Sequence, residues 1–224
     1  MIEPVATDRA LPLRERKKLR VRRTLSETAL RLFIEQGFHQ TTLEQLVDEA
    51  EVSMRTFFRY YSGKEAVAIA AEEELWDAYL DVVADTDADG NVLDALRHAL
   101  VSALNGMDDD WERRFIATRG LAGRTPELRE YSALTSIRIQ EHLVDALETK
   151  LGIDSRRDVR LRLVCEFAMS AWRCGAKNWV RGLKSQARTG RGKPDATERR
   201  ALLRRIEEAF DAIPSAVTLS DATR

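Results

Sequence analysis

At 224 residues, 44% hydrophobic and 33% charged, the chain has the makeup of a folded protein of one large or two small domains, not of a disordered one. Its longest apolar run, residues 66–71, is far too short to cross a bilayer, and the start MIEPVATDRA has no basic stretch followed by an apolar one, so a cytoplasmic location without a membrane partner is expected. The net charge of −1 does not announce a nucleic-acid binder, but the distribution is uneven: between residues 9 and 23 stand eight Lys or Arg against one acid, Glu15.

This basic run reads either as a solvated helix face with a frayed end or as an arm that touches phosphates. Residues 1–16 are expected to be a flexible basic arm. Leu25, Ala29, Leu32 and Phe33 then recur at i, i+4, i+7 and i+8, which predicts a first helix over 17–36. Gly37 stands at the place of its C-cap.

Thr41 or Thr42 caps a second, short helix, with Glu44 and Gln45 three residues on. Ser53 caps a third. Residues 42–61 therefore read as short helix, tight break, short helix, the helix-turn-helix arrangement. Phe57 and Tyr61 share a face at i, i+4 and are expected to pack on Leu46 and the first helix. Phe58 and Tyr60 then point outward beside Arg55 and Arg59, as side chains for a DNA surface or as cover for the next helix. A fourth, long helix is expected from Lys64 to about Val83, without Pro or Gly to interrupt it.

The acidic stretch DTDADGNVLDAL has Asp85, Asp87 and Asp89 spaced like a calcium loop, with Gly90 and Val92 in register. The twelfth position, where a bidentate carboxylate belongs, is Leu96, so the stretch reads as a connector capping the next helix. Further helices follow over 92–104, 110–121 (capped by Asp110), 127–151, 154–183 and 198–213, with a flexible linker at 184–196. The fold class is all-α, with about nine helices. Cys165 and Cys174 lie nine residues apart on one helix, roughly 13.5 Å along its axis, too far for a disulfide, and read as small core residues. No cluster has zinc spacing and no motif marks a nucleotide loop, a nucleophile elbow or a metalloprotease, so no enzyme, metal or cofactor is expected.

The stretches ETALRLFIEQGF, TTLEQLVDEA, VSMRTFFRYY and SGKE, together covering about a fifth of the chain, resemble the TetR family of bacterial repressors. The resemblance implies a homodimer, with a helix-turn-helix domain at 17–65, an effector-binding and dimerisation domain at 66–213 and a tail at 214–224. It implies a ligand-responsive repressor that binds double-stranded operator DNA and is released by a small apolar or anionic effector. Thr42 and Ser53 would hold phosphates, Met54, Arg55 and Thr56 would touch bases, Tyr60 and Lys64 would touch the backbone, and Phe58 and Tyr60, flanking Arg59, would clamp the sugar edge. Two departures stand out. Glu51 occupies a turn position where the family has Gly, and a left-handed backbone there costs a non-Gly residue roughly 1–2 kcal/mol. Phe58 stands where a Tyr is common.

In the second half PELR at 126–129, LG at 151–152 and the spacing of the tryptophans resemble, loosely, actinobacterial regulators similar to those of the mycofactocin type, which implies an acyl-CoA-like effector. The helix at 154–183 is apolar on more than one face and is expected to be buried on several sides. With 198–213 it is expected to build the dimer contact through Leu202, Ile206 and Phe210 or the faces opposite them. Trp111, Phe115, Met169 and Trp172 read equally as core or as the wall of an effector pocket. Arg119 either reaches solvent or meets an acidic effector. The reading of another class is a helical homodimeric binding protein or enzyme without sequence-specific DNA binding.

Overall fold

The computed structural model describes residues 12–86, 90–188 and 197–219. It is all-α, with eleven helices and no strand among the described residues, and nine of the helices have seven or more residues. By contacts the chain divides into two compact units. One joins the chain through Glu74 to Asp108–Leu134, and the other joins Leu75–Met107 to the chain from Thr135 onward.

The first unit holds α1 (Leu13–Glu35), α2 (Leu43–Glu49), α3 (Met54–Tyr60), α4 (Lys64–Ala68) and α7 (Trp111–Ala122). Its core packs Leu25, Ala29 and Phe33 of α1 against Leu46, Phe57, Tyr61 and Val67, with Leu121, Ala122 and Leu128 closing one side. Each fully buried Leu, Val or Phe contributes about 1.5–3 kcal/mol, and this cluster fixes the angle between α2 and α3. The helix α1 begins at Leu13, four residues before its expected start, because Arg16 N–H reaches Pro12 O and Leu, Arg, Lys and Glu are all good helix formers. Residues 13–16 are therefore helical, not a flexible arm, while Arg9 lies outside the described residues.

The long helix expected from Lys64 is interrupted. The helix α4 stops at Ala68, and α5 (Ala70–Asp85) starts one residue later. At the break Glu72 N–H bonds to Ile69 O at 2.8 Å. Thr118 Oγ1 donates to Ala68 O at 3.2 Å, and the Trp111 indole donates to Ala71 O at 2.8 Å. Side chains from α7 thus enter the i→i−4 ladder, a recognised cause of kinks that needs no Pro or Gly.

The second unit contains the later part of α5, α6 (Val92–Gly106), the later part of α8 (Pro126–Leu151), α9 (Arg160–Arg188), α10 (Thr197–Asp211) and α11 (Ile213–Ala216). Asn91, not an acid, caps α6 by accepting from Leu93 N–H and Asp94 N–H. Residues 87–89 of the acidic connector lie outside the described residues, and Leu96 is core. The helix α9 starts later than expected, since Asp154 O takes the N–H groups of Arg157 and Asp158 in a separate turn. Its buried positions, Leu161, Cys165, Ala168, Met169, Trp172, Ala176 and Trp179, form one stripe, while Leu163, Arg173 and Cys174 are exposed. This corrects one expectation: Cys174 is exposed, not core.

Leu202, Ile206 and Phe210 of α10 are buried inside the same unit, so this stripe is not available to a partner. The helices α9 and α10 cross closely at Gly175, where a Cβ would lie 2.8 Å from Arg205 O and 2.9 Å from Ile206 Cα. The helix α10 ends at Asp211 because Pro214 has no N–H to continue it and instead sits in the first turn of α11. The expected linker is helical as far as Arg188, and residues 189–196 lie outside the described residues.

Candidate nucleic-acid interface

The site is assembled from two short capped helices. Thr42 Oγ1 accepts from Gln45 N–H at 3.1 Å, and Ser53 Oγ accepts from Thr56 N–H at 3.1 Å. The reciprocal half of a capping box is absent at α2, because the Gln45 amide turns to Gln36 Oε1 at 2.7 Å. Between the helices Glu51 has φ +53°, in the left-handed region. Val52 N–H reaches Val47 O at 2.9 Å and Glu51 N–H reaches Asp48 O at 3.1 Å. These two bonds make a Schellman motif, with Val52 packed on the core and a non-Gly residue at the left-handed position.

The placement of α3 sorts its aromatics. Phe57 is fully buried and Tyr61 nearly so, and the Tyr61 hydroxyl donates to Arg22 O of α1 at 3.1 Å. Burial raises the Tyr61 phenol to about 12, against opposing pulls from Arg22. Arg55, Phe58 and Arg59 are exposed, and Met54 and Thr56 are half-buried. Phe58 stands with 54% of its surface open and leans edge-on against Phe57 at 5.3 Å. Tyr60 differs from its outward expectation: it is half-buried against the core, with the Arg59 guanidinium 5.1 Å over its ring. Thr56 Oγ1 shares a hydrogen bond with Ser53 Oγ at 2.9 Å.

Lys64 has a different situation from its neighbours. Its ammonium donates to Phe38 O and Thr41 O, both at 2.6 Å, and lies 4.6 Å from the Phe38 ring centre. Two of its three N–H bonds thus tie α4 to the turn before α2, leaving one for any other acceptor. Desolvation holds it below the usual lysine value, while Glu65 pulls the other way. A second strap joins α1 to α2, where Arg31 donates to Glu49 at 2.7 Å. Nothing in the periodicity of the sequence pointed to either strap.

The expected effector residues fall into both units. In the first, Trp111 is fully buried, stacked on Phe115 with ring centres 4.9 Å apart, and its indole is occupied by Ala71 O. Arg119 is bonded to Glu72 Oε1 at 2.6 Å and to Ser132 Oγ at 3.0 Å, and Ser132 in turn donates to Glu72 at 2.6 Å. Its acid is thus one of this chain's own. In the second unit Met169 and Trp172 are buried, and Trp172 meets Trp76 edge-on at 5.4 Å. The Trp76 indole N–H is buried with no acceptor among the described residues, a feature that the sequence reading did not single out.

Among the described residues no His, Cys, Asp and Glu cluster is placed to hold a metal, and no helix is long and apolar enough to cross a membrane. The profile of the family described as bacterial regulatory proteins, tetR family, matches residues 25–71. The HTH-type transcriptional regulator TcmR of Streptomyces glaucescens is 31% identical over 172 residues, which is 75% of this chain and 76% of that protein. A protein named as the mycofactocin biosynthesis transcriptional regulator MftR, from Mycobacterium tuberculosis, is 30% identical over 108 residues, 48% of this chain and 54% of its own. A solved TetR-family transcriptional regulator from Mesorhizobium loti is 20% identical, with a TM-score of 0.45 over 87% of this chain and 96% of that one.

Proposed function

The chain belongs to the TetR family of bacterial transcriptional regulators, and on that premise we propose that α3 is its operator-reading helix and Arg55 its principal base contact. A regulator of this family is a DNA-binding protein, not an enzyme, and works as a dimer. The observation that carries the assignment is the open N-terminal half of α3. Arg55 is exposed directly after the Ser53 cap, while Phe57 and Tyr61 hold the opposite face in the core. The first residues of a recognition helix are those that reach base edges in the major groove. Thr42, Ser53, Met54, Thr56, Phe58, Arg59, Tyr60 and Lys64 complete the proposed contact set, with Ser53, Tyr60 and Lys64 also holding the local structure. The domain at 17–65 is the proposed reading head, and a cytoplasmic location would give it access to DNA.

A bidentate arginine–guanine contact supplies about 1–3 kcal/mol of discrimination. Arg55→Ala is therefore expected to relax preference at one position of each half-site, in a binding assay across all single-base variants of a selected operator. Unchanged selectivity at every position refutes the assignment of Arg55. Failure of the wild-type chain to select any sequence refutes the reading of α3 as a whole and favours a binding protein of another kind.

For the effector we propose the second unit, at the aromatic wall of Trp76 and Trp172 with Met169 beside it in the same buried stripe. A buried N–H without an acceptor is unfavourable by about 1–3 kcal/mol. An apolar effector that brings an acceptor oxygen to Trp76 would relieve that cost. An acyl-CoA-like ligand, the class implied by the resemblance, has both features. Trp111, Phe115 and Arg119 fit this role less well, since the first two are packed core and the third is already held by Glu72 and Ser132.

A further inference from the structure

We propose that the first three turns of α1, residues 13–24, are a second DNA-contacting element: a rigid basic rod that grips phosphates flanking the sequence that α3 reads. The proposal rests on the chain's DNA binding but not on which bases α3 contacts. From Arg14 to Arg23 the helix carries seven cations and one acid, a charge of +6, so the other residues of a chain with net charge −1 carry −7. Within the segment Val21 packs half-buried against the core, and the first buried position of α1 is Leu25.

Self-stability gives no reason for this arrangement. Lys17 lies three residues after Arg14 and three before Arg20, and Arg16 lies four before Arg20, so like charges crowd neighbouring positions and destabilise the helix. The contrast lies further along the same helix. There Arg23 pairs with Glu27 and Arg31 with Glu35, each at i, i+4. A helix built only to be solvated would continue that pairing towards its start. In the first turns Lys18 meets Glu15 at 3.7 Å, while Arg14, Lys17 and Arg20 stand exposed. Arg14, Lys17 and Arg20 thus crowd an exposed stretch of the helix ahead of its first buried residue, which is the pattern a polyanion would complete.

The rod is also fixed relative to the reading helix. Its backbone continues unbroken into the packed part of α1, and Tyr61, at the C-cap of α3, bonds to Arg22 O. Twelve residues span about 18 Å, equal to about five phosphate steps of one strand at 3.4 Å each. Arg14, Lys17 and Arg20 are exposed and are the cations best placed to meet a backbone at that spacing.

The test is the triple variant Arg14→Gln, Lys17→Gln and Arg20→Gln, with its helix content and melting checked by circular dichroism. The probe is a duplex selected by the wild-type chain from a random pool, made with and without about ten flanking base pairs on each side, and beside it a duplex of unrelated sequence. At one phosphate per cation and two protomers, the slope of log affinity against log salt becomes shallower by about five. Raising salt from 50 to 200 mM then penalises the wild type about a thousandfold more than the variant. Trimming the flanks should weaken the wild type and leave the variant unmoved, with base preference the same in both. Equal slopes and equal response to trimming overturn the proposal. If the wild type selects no sequence, the reading of α3 fails, and the slopes on the unrelated duplex still decide for or against the rod.

Discussion

Glu51→Gly is expected to stabilise the protein. Glu51 holds φ +53° at the left-handed position of a Schellman motif. A Cβ in that conformation costs about 1–2 kcal/mol, whereas glycine gives back about 0.5–1 kcal/mol through its greater freedom in the unfolded chain. The net gain is about 1 kcal/mol, which for a chain of this size raises Tm by roughly 2–4 °C. Glu51 is exposed and its side chain makes no ion pair among the described residues, so removing the carboxylate should itself do little. The assay is thermal unfolding at one fixed protein concentration, because a dimer's Tm depends on it. Glu51→Ala is the control, since it removes the charge and keeps the Cβ. Glu51→Asn should fall between, because Asn tolerates the left-handed region better than most residues. The backbone already has the geometry that glycine prefers, so operator affinity should not change. Equal melting of the Gly and Ala variants would refute backbone strain as the cause.

Tyr61 sets an alkaline limit. Its phenol titrates at about 12 when folded against an ordinary value of about 10, so above pH 10 the unfolded chain loses a proton that the folded one keeps, and stability falls as pH rises from 10 towards 12 by about 2–3 kcal/mol. Tyr61→Phe should lose about 1 kcal/mol at neutral pH, from the bond to Arg22 O, and show a correspondingly smaller alkaline decline; an identical decline in both proteins would rule Tyr61 out as its source. For the effector, operator DNA and ligand must weaken each other in the same ratio, and a hundredfold effect needs about 2.7 kcal/mol of coupling. Calorimetric titration of an acyl-CoA with and without operator measures it, and equal affinities in the two titrations would mean that the ligand exerts no control.

Local chemistry made the helix-turn-helix legible. Thr42 and Ser53 are capping residues at the right spacing, the i, i+4 pair Phe57 and Tyr61 faces inward, and Gly37 and Glu51 mark the turns. These features depend on residues within a few positions of each other. Where the outcome depended on distant residues, the sequence was silent or misleading. Tyr60 became half-buried because the core reaches past the end of α3. Arg119 met Glu72, 47 positions away, in place of an external acid. Lys64 found carbonyls 23 and 26 residues upstream. The apolar faces of α9 and α10 were visible as stripes, but only packing shows that the α10 stripe closes on its own chain, at the crossing that Gly175 permits.

The break at Ile69 shows the same dependence on distant partners, and it alters how the helix-turn-helix is mounted. A straight helix from Lys64 to Val83 would pair Ala68 O with Glu72 N–H. Here Glu72 N–H goes to Ile69 O, and the freed Ala68 O takes the Thr118 hydroxyl. Ala71 O takes the Trp111 indole. The carbonyls of Ala68, Ile69 and Ala71 therefore all have donors, so the bend is satisfied and straightening it would strand two buried side-chain donors of α7. That makes the joint a fixed bend and not a loose hinge. The same helix is fastened at its other side by Arg114, 3% exposed, which donates to Glu74 at 2.6 Å and to Asp108 at 2.7 Å. The guanidinium is buried while its two acids keep contact with solvent, so losing either acid leaves a buried charge partly uncompensated. The helices α1 to α4 thus do not hang from a single rod. They are seated on α7 through two carbonyl bonds and the ion pairs of the buried Arg114, and a displacement of α4 within this unit requires α7 to move with it.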